Sequence, residues 1–283
     1  MAKRSVPIGD EFPGPGFDAD GEGNGARTLI ERSYLLLRED IVEGRIAPGE
    51  RLRVEHLKDR YGVGAGTLRE AITRLVSDAL VVAEGQRGFR ASPLSIEDLQ
   101  DLTALRLHIE IEELRMSIRC GDARWRAELA SAHARLSEAG PPSLPGQRRA
   151  WEALNARFHD ALISGHASPW TKKVLGLLAC SGERYRCLAM NLPGSRRDVQ
   201  GEHRQIYEAA MAGQDVRAAL ALEAHIRATP DLIVEAHRSG LIHFSSPPDK
   251  VNTDAGRRAD RNPHQPGQAA GGASLPQRSD VPA

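Results

Sequence analysis

The sequence predicts a mainly α protein, with an N-terminal winged helix-turn-helix followed by an all-α antiparallel helical bundle. Three observations carry this. Between Leu52 and Arg90, the apolar residues Leu57, Tyr61, Val63, Leu68, Ile72 and Leu75 recur at mostly helical spacing around a break at Gly62 to Gly66. After Ala91 no alternating, strand-like pattern occurs, while helical periodicity continues to about residue 238. Hydrophobic residues make up 40% of the chain and aromatic ones only 4%, which favours an aliphatic helical core over a β sandwich.

The elements follow in order. Residues 1–26 are rich in Gly, Pro and acid, bury too little apolar area to fold, and read as a disordered tail. The first domain, the winged helix-turn-helix, is expected over 27–92. Its first helix runs from Thr28 to Glu43, striped by Leu29, Tyr34, Leu37 and Ile41 and stopped at Gly44. Ala47-Pro48-Gly49 is a turn. Two short helices follow, then a two-stranded wing over Leu80–Ala83 and Phe89–Ala91, joined by a Gly-bearing hairpin. Ser92-Pro93 closes the domain.

Ser95 opens the second domain, expected over 95–240, as an N-cap whose hydroxyl accepts from the backbone of Asp98. Six helices are expected at about 95–119, 122–138, 147–164, 169–190, 195–212 and 215–238. Their breaks fall at Gly121, at the Gly140–Gly146 run, at Pro193-Gly194 and at Gly213. Short loops between amphipathic helices favour an antiparallel bundle. From about residue 245 to 283 the composition returns to that of a disordered tail.

A short helix, a turn and a helix exposing Arg69, Thr73 and Arg74 is a way to present side chains to the DNA major groove. The chain as a whole carries no net charge, and residues 27–92 hold 12 Arg and Lys against 10 Asp and Glu. Coating nucleic acid by bulk charge is therefore excluded, and contacts must come from local placement. Arg69 and Thr67 are expected at the DNA and Arg53 at a phosphate. Arg87-Gly88 at the wing tip is suited to the minor groove, where glycine permits close approach. Such modules read half-sites, so a homodimer on a near-palindromic operator is expected.

Three cysteines are too few for a disulfide framework, no apolar block marks a signal peptide, and no run is long enough to span a membrane. A reduced cytoplasmic protein without membrane association is expected.

At this point the layout resembles the GntR family of transcription regulators, in the branch with an all-helical FadR-type (FCD) ligand-binding domain. The resemblance rests on Ala47-Pro48-Gly49-Glu50-Arg51-Leu52 leading into the second helix and on Val63–Ala71 at the recognition helix. Arg87-Gly88-Phe89-Arg90 matches the wing, Arg106 and Glu110 the opening of the ligand domain, and Asn155-Ala156-Arg157-Phe158-His159 the metal helix. Glu183-Arg184-Tyr185-Arg186 resembles a sub-branch answering to small dicarboxylates. One departure stands out: the family commonly has Ser or Thr then Arg at the start of the recognition helix, and here Gly64 and Ala65 occupy those places. Either Gly64 caps that helix, or Thr67-Leu68-Arg69-Glu70 forms a capping box three residues later.

Asn155 and His159 lie four apart on one helix face, while His203 and His225 fall on two later helices among apolar neighbours. With ten histidines in the chain, spacing alone is weak evidence. The resemblance implies that these four residues hold a divalent metal: Zn, with Ni or another transition ion as alternatives. Most relatives of the family with this site have Asp or Asn at the first position, and Asn155 is expected to lower the site's negative charge and weaken its divalent affinity. The effector implied is a small carboxylate, bound by the metal and by Arg106, with Arg184 or Arg186 next and Tyr185 lining the pocket. Glu110 has a simpler role open to it, pairing with Arg106 along the helix. The resemblance further implies a ligand-responsive transcription regulator, most often a repressor in this family. Two alternatives are a helical metal-dependent hydrolase, for which Glu202 lies on the wrong helix face to be the general base, and a winged-helix module that binds protein.

Overall fold

The computed structural model describes residues 29–142, 145–193 and 197–244, together a compact unit. The expected tails lie outside the described residues, as does Gly194.

The first part comprises α1 (Leu29–Val42), β1 (Arg51–Leu52), α2 (Val54–Tyr61), α3 (Ala65–Ser77), β2 (Val81–Ala83) and β3 (Phe89–Ala91). Leu37 and Ile41 of α1 pack with Leu68, Ile72 and Leu75 of α3, all essentially sequestered from solvent. These positions recur at i, i+4 and i+7, so one stripe of each helix is buried and the opposite face is free. Gly62 ends α2 in the left-handed region at φ 63°, which is why the turn between the two short helices carries glycine. Gly64 is the N-cap of α3, with extended backbone and no side-chain bond. That settles the alternative left open by the sequence: the helix begins at Ala65, and Thr67 lies inside its first turn rather than capping it.

The wing has three strands rather than the two expected. β1 pairs antiparallel with β3, Leu52 opposite Phe89, and β3 pairs with β2, giving the order β1-β3-β2. A two-residue strand is too short to show alternation in sequence. Its pairing with β3 holds it, flanked by backbone bonds from Ala91 N to Glu50 O at 2.9 Å and from Gly49 N to Ala91 O at 3.0 Å.

The second part holds α4 (Ile96–Cys120), α5 (Ala123–Ala139), α6 (Pro145–Ile163), α7 (Pro169–Met190), α8 (Val199–Met211) and α9 (Asp215–Arg238). Ser95 caps α4 as expected, its hydroxyl accepting from Asp98 N at 3.0 Å. Asp198 caps α8 through Gly201 N at 2.8 Å, which sets that helix's start at Val199 rather than near 195. Gly121 separates α4 from α5 because any Cβ there would meet the Trp125 ring at 2.2 Å. Leu114, Leu129, Phe158, Ile206, Leu222 and Ile226 form the centre of the bundle core. Buried polar groups at its edge are paired: Trp125 Nε1 donates to Ala161 O at 3.0 Å and Ser117 Oγ to Ile163 O at 2.7 Å. Among the described residues no helix is long and apolar enough to cross a membrane.

Where the two parts meet, buried ion pairs line the seam. Arg38 of α1 contacts Glu183 of α7 at 2.5 Å. Arg148 of α6 bridges Glu43 at 2.7 Å and Glu183 at 3.4 Å.

Candidate functional site: a winged helix-turn-helix and a histidine pocket

On the outer face of α3, Arg69 and Thr73 are exposed and Thr67 is half-buried at the first turn. The Thr73 hydroxyl donates back to the Arg69 carbonyl at 2.8 Å, a local bond within the helix. Arg53 is exposed at the N-cap of α2. Arg87 is exposed at the end of the wing's single 3₁₀ turn, and Gly88 beside it takes φ 91°. Arg74 departs from the expectation. Its Nη1 contacts Glu31 of α1 at 2.7 Å, and its guanidinium lies 4.4 Å from the Tyr34 ring centre. It ties α3 to α1, because five residues past Arg69 it has rotated off the outer face.

In the bundle, α6, α8 and α9 bring His159, His203 and His225 together, each offering a nitrogen within 4.8 Å of the others. Ring centres lie 4.6 Å apart for His203 and His225 and 5.1 Å apart for His159 and His225. Burial, reinforced by the imidazoles of His225 and His159, pushes His203 down to about 2, and burial with His159, Arg197 and Arg106 nearby pushes His225 well below the ordinary histidine value. Both rings are therefore neutral at pH 7, the form that binds metal. His159 Nδ1 and His203 Nε2 are buried without a hydrogen-bond partner, although such groups are nearly always satisfied. Convergent ring nitrogens, two of them unsatisfied, fit a divalent transition ion, and buried Asn155, one turn before His159, lines the same cavity.

Glu202 contributes in a way the sequence did not suggest. Its Oε2 lies 2.8 Å from His225 Nδ1, orienting that ring as carboxylates orient metal-binding histidines. Arg197 in turn holds Glu202 at 2.5 Å and the His225 carbonyl at 2.6 Å. The reading that Glu202 lies on the wrong helix face is thus corrected: the long side chain reaches back to α9. Arg197 lies outside any helix, so no periodicity could have flagged it.

The cavity has two lobes, about 200 Å³ and about 230 Å³, which share Arg106, Asn155, His159 and Arg186. Arg106 pairs with Glu110 at 2.7 Å, as the spacing suggested. Burial alone would raise the Glu110 carboxyl, but Arg106 and the nearby His159 hold it down to about 2. Arg186 pairs with Glu152 at 2.9 Å. Arg184 and Tyr185, expected here, line neither lobe. Arg184 donates to Ser92 O at 2.6 Å, and burial lowers it to about 10. The Tyr185 hydroxyl donates to Asp98 at 2.7 Å and accepts from Ser95 N at 3.1 Å. Arg186 and Glu183, three apart, both turn to α6, Arg186 at the cavity and Glu183 beside Arg148 at the seam, while Arg184 and Tyr185 reach Ser92, Ser95 and Asp98.

Comparison with known proteins agrees with this architecture. Residues 29–90 match the model of the bacterial regulatory proteins of the gntR family, and residues 101–228 match the FCD domain. An uncharacterised HTH-type transcriptional regulator of Paraburkholderia xenovorans, BphR, is 41% identical over 73% of this chain and 86% of its own. The chain belongs to the GntR family and carries an FCD domain. Another relative of this GntR chain, the Escherichia coli transcriptional repressor GlaR, is 28% identical over 73% of this chain and 96% of its own. Among solved structures, a putative GntR regulator of Rhodococcus superposes with TM-score 0.58 at 22% identity, covering 73% of this chain and 98% of that one. Escherichia coli McbR/YncC superposes with TM-score 0.56 at 17% identity, over 74% and 99%, which supports the fold alone. The chain is therefore a DNA-binding transcription regulator, and the hydrolase alternative finds no support among its relatives.

Proposed function

We propose that this GntR regulator is a cytoplasmic, homodimeric repressor whose FCD domain binds a divalent transition metal and a carboxylate effector, and that effector binding changes affinity for a near-palindromic operator. The observation that carries this is the buried histidine triad, with two unsatisfied ring nitrogens opening onto a cavity that also holds Arg106 and Arg186. The repressor assignment draws on the relative GlaR, which is named a repressor.

His159, His203, His225 and Asn155 would hold the ion, with Zn the first choice for three imidazoles and an oxygen. Bound there, it supplies a cationic anchor for one carboxylate. Arg106 keeps both Nη groups clear of Glu110, which is bonded through Nε, and so can bind the same carboxylate. On the DNA side, Arg69 and Thr67 face bases, Arg53 a phosphate, and Arg87 with Gly88 the minor groove.

The two sites are joined along α6. Arg148, Glu152, Asn155 and His159 recur at i, i+4, i+7 and i+11, so one face of one helix runs from the seam to the metal site. A carboxylate that draws Arg186 from Glu152 leaves an acid one turn from Arg148, which competes with Glu43 for that guanidinium. Effector binding thus acts on the contact that holds α1, and differential affinity for the two arrangements is what coupling requires.

The test is operator binding by fluorescence anisotropy with and without metal and acid. His159→Ala with His203→Ala should abolish stoichiometric metal and the response to acid, leaving metal-free operator binding intact. Stoichiometric metal in that double variant would refute the ligand set.

A further inference from the structure

We propose that the segment Gly240–Phe244 is a clasp over the connector between the two parts, and that it fixes the orientation of the DNA-binding part on the bundle. Its effect on DNA binding rests on the homodimer reading above, because only a pair of reading heads is sensitive to their mutual orientation.

The two parts are joined twice. One joint is the ion-paired seam of α1 with α7 and of Glu43 with α6. The other is the connector Ser92–Ser95, the four residues between β3 and α4. One joint alone leaves a swivel, whereas two fix an orientation. The connector is not a slack linker. Arg184 of α7 donates to the Ser92 carbonyl at 2.6 Å, Ser95 N donates to the Tyr185 hydroxyl at 3.1 Å, and Leu94 is buried. Polar groups of an irregular segment are thus satisfied by α7.

Leu94 lies in a small apolar cluster with Leu99, Tyr185, Ala189 and Ile233, distinct from the cores of both parts. Ile242 and Phe244, both half-buried, pack against that cluster from beyond the end of α9. They reach it because the chain folds back where α9 stops. Gly240 takes the left-handed conformation at φ 73°, and Leu241 N and Ile242 N both donate to the Ala236 carbonyl, at 2.9 and 3.3 Å. His237 Nδ1 lies 3.3 Å from the Ile242 carbonyl oxygen, and the Phe244 ring meets the Tyr185 ring in a T-shaped contact, 6.5 Å between centres. Tyr185 therefore touches the connector through its hydroxyl and the clasp through its ring. Connector and clasp both lie outside the residues that the gntR and FCD models match, so neither match accounts for this contact.

The test is hydrogen exchange on the full chain, read peptide by peptide, for the unaltered protein and for Ile242→Ala with Phe244→Ala. Removing two half-buried apolar side chains should raise exchange over residues 92–98 roughly tenfold or more, because exchange follows the local opening equilibrium. Exchange around Leu114 and Leu129 in the bundle core, and in α3, should stay as it was. Phe244→Leu keeps an apolar body and should give a smaller rise. The second measurement is affinity for a DNA duplex selected from random sequence by the unaltered chain. A looser connector lowers the fraction of dimers with both heads aligned, so the double variant should bind several-fold more weakly. Unchanged exchange over 92–98 would overturn the clasp, as would a rise shared equally with the bundle core. Raised local exchange without loss of DNA affinity, in a variant that sediments as a dimer, would overturn its role in orientation. Sedimentation as a monomer would refute the homodimer reading instead, and exchange alone would then decide the clasp.

Discussion

The arginines of the DNA-binding part and those of the bundle are the same residue in opposite physical situations. Arg53, Arg69 and Arg87 stand in solvent on α2, α3 and the wing. Arg106, Arg186 and Arg197 are sunk around one cavity, each against a glutamate. An exposed cation facing a polyanion contributes by releasing counterions, so each acts nearly alone and each is removable without harm to the fold. A buried cation is committed, because its partner cannot be lost without leaving a desolvated charge. The reading head is thus open to change one residue at a time, whereas the cavity changes only in pairs.

The sharpest way to break that contrast is Glu152→Ala. Arg186 would be left buried and unpaired, and a destabilisation of about 3–5 kcal/mol is expected from chemical denaturation. Replacing both partners, Glu152→Leu with Arg186→Met, should recover most of that loss. If the single and double variants were equally unstable, the charge would not be the cause.

Acidity tests the histidine triad in the metal-free protein. His203 and His225 have folded-state values far below the unfolded value of about 6.5. As pH falls through 6.5 the unfolded chain gains protons that the folded chain refuses, so stability is present above that pH and is lost below it. For two such groups the slope is up to about 2.7 kcal/mol per pH unit, and His203→Ala should roughly halve it. Glu110, held down to about 2, adds a further loss only below its unfolded value of about 4.3. A stability curve flat between pH 6.5 and 5 would contradict burial of the neutral rings.

These expectations also mark what the sequence could and could not reveal. The helices were legible because burial of one stripe imposes a 3.6-residue period, and α7 and α9 run over the ranges expected for them, 169–190 and 215–238. β1 was not legible, since two residues carry no period. His159, His203 and His225 converge as the family resemblance implied, but the resemblance could not assign every member of the Glu183–Arg186 run. Three of those four residues serve the seam through partners far away in sequence, Arg38 and Arg148 for Glu183, Ser92 for Arg184, and Ser95 with Asp98 for Tyr185. Glu202 and Arg197 were invisible for a different reason: their roles depend on side-chain reach between elements distant in sequence, which no local pattern encodes.

The seam is a second place to sharpen the comparison. Arg148 joins Glu43 and Glu183 at the junction and lies one turn from Glu152. Arg148→Met should leave metal binding unchanged, and it should reduce the effect of acid on operator affinity by about 1–2 kcal/mol, several-fold in the ratio of dissociation constants. An undiminished response would show that coupling bypasses this face of α6.

The finest test compares two arginines on one helix, Arg69 and Arg74. Arg69 is exposed and directed outward, so Arg69→Ala should leave the thermal midpoint in place. It should weaken operator binding by about 1–3 kcal/mol if it reads a base, or flatten the salt dependence by about one unit of slope if it meets a phosphate. Arg74 bonds Glu31 and lies over Tyr34 at a half-exposed site. Solvent screens such a pair, so Arg74→Ala should cost about 1 kcal/mol of stability or less. Its salt slope should match that of the unaltered protein. A salt slope lowered equally by both substitutions would mean that Arg74 leaves α1 when DNA arrives, and that the line between committed and free cations runs through α3 at a different point.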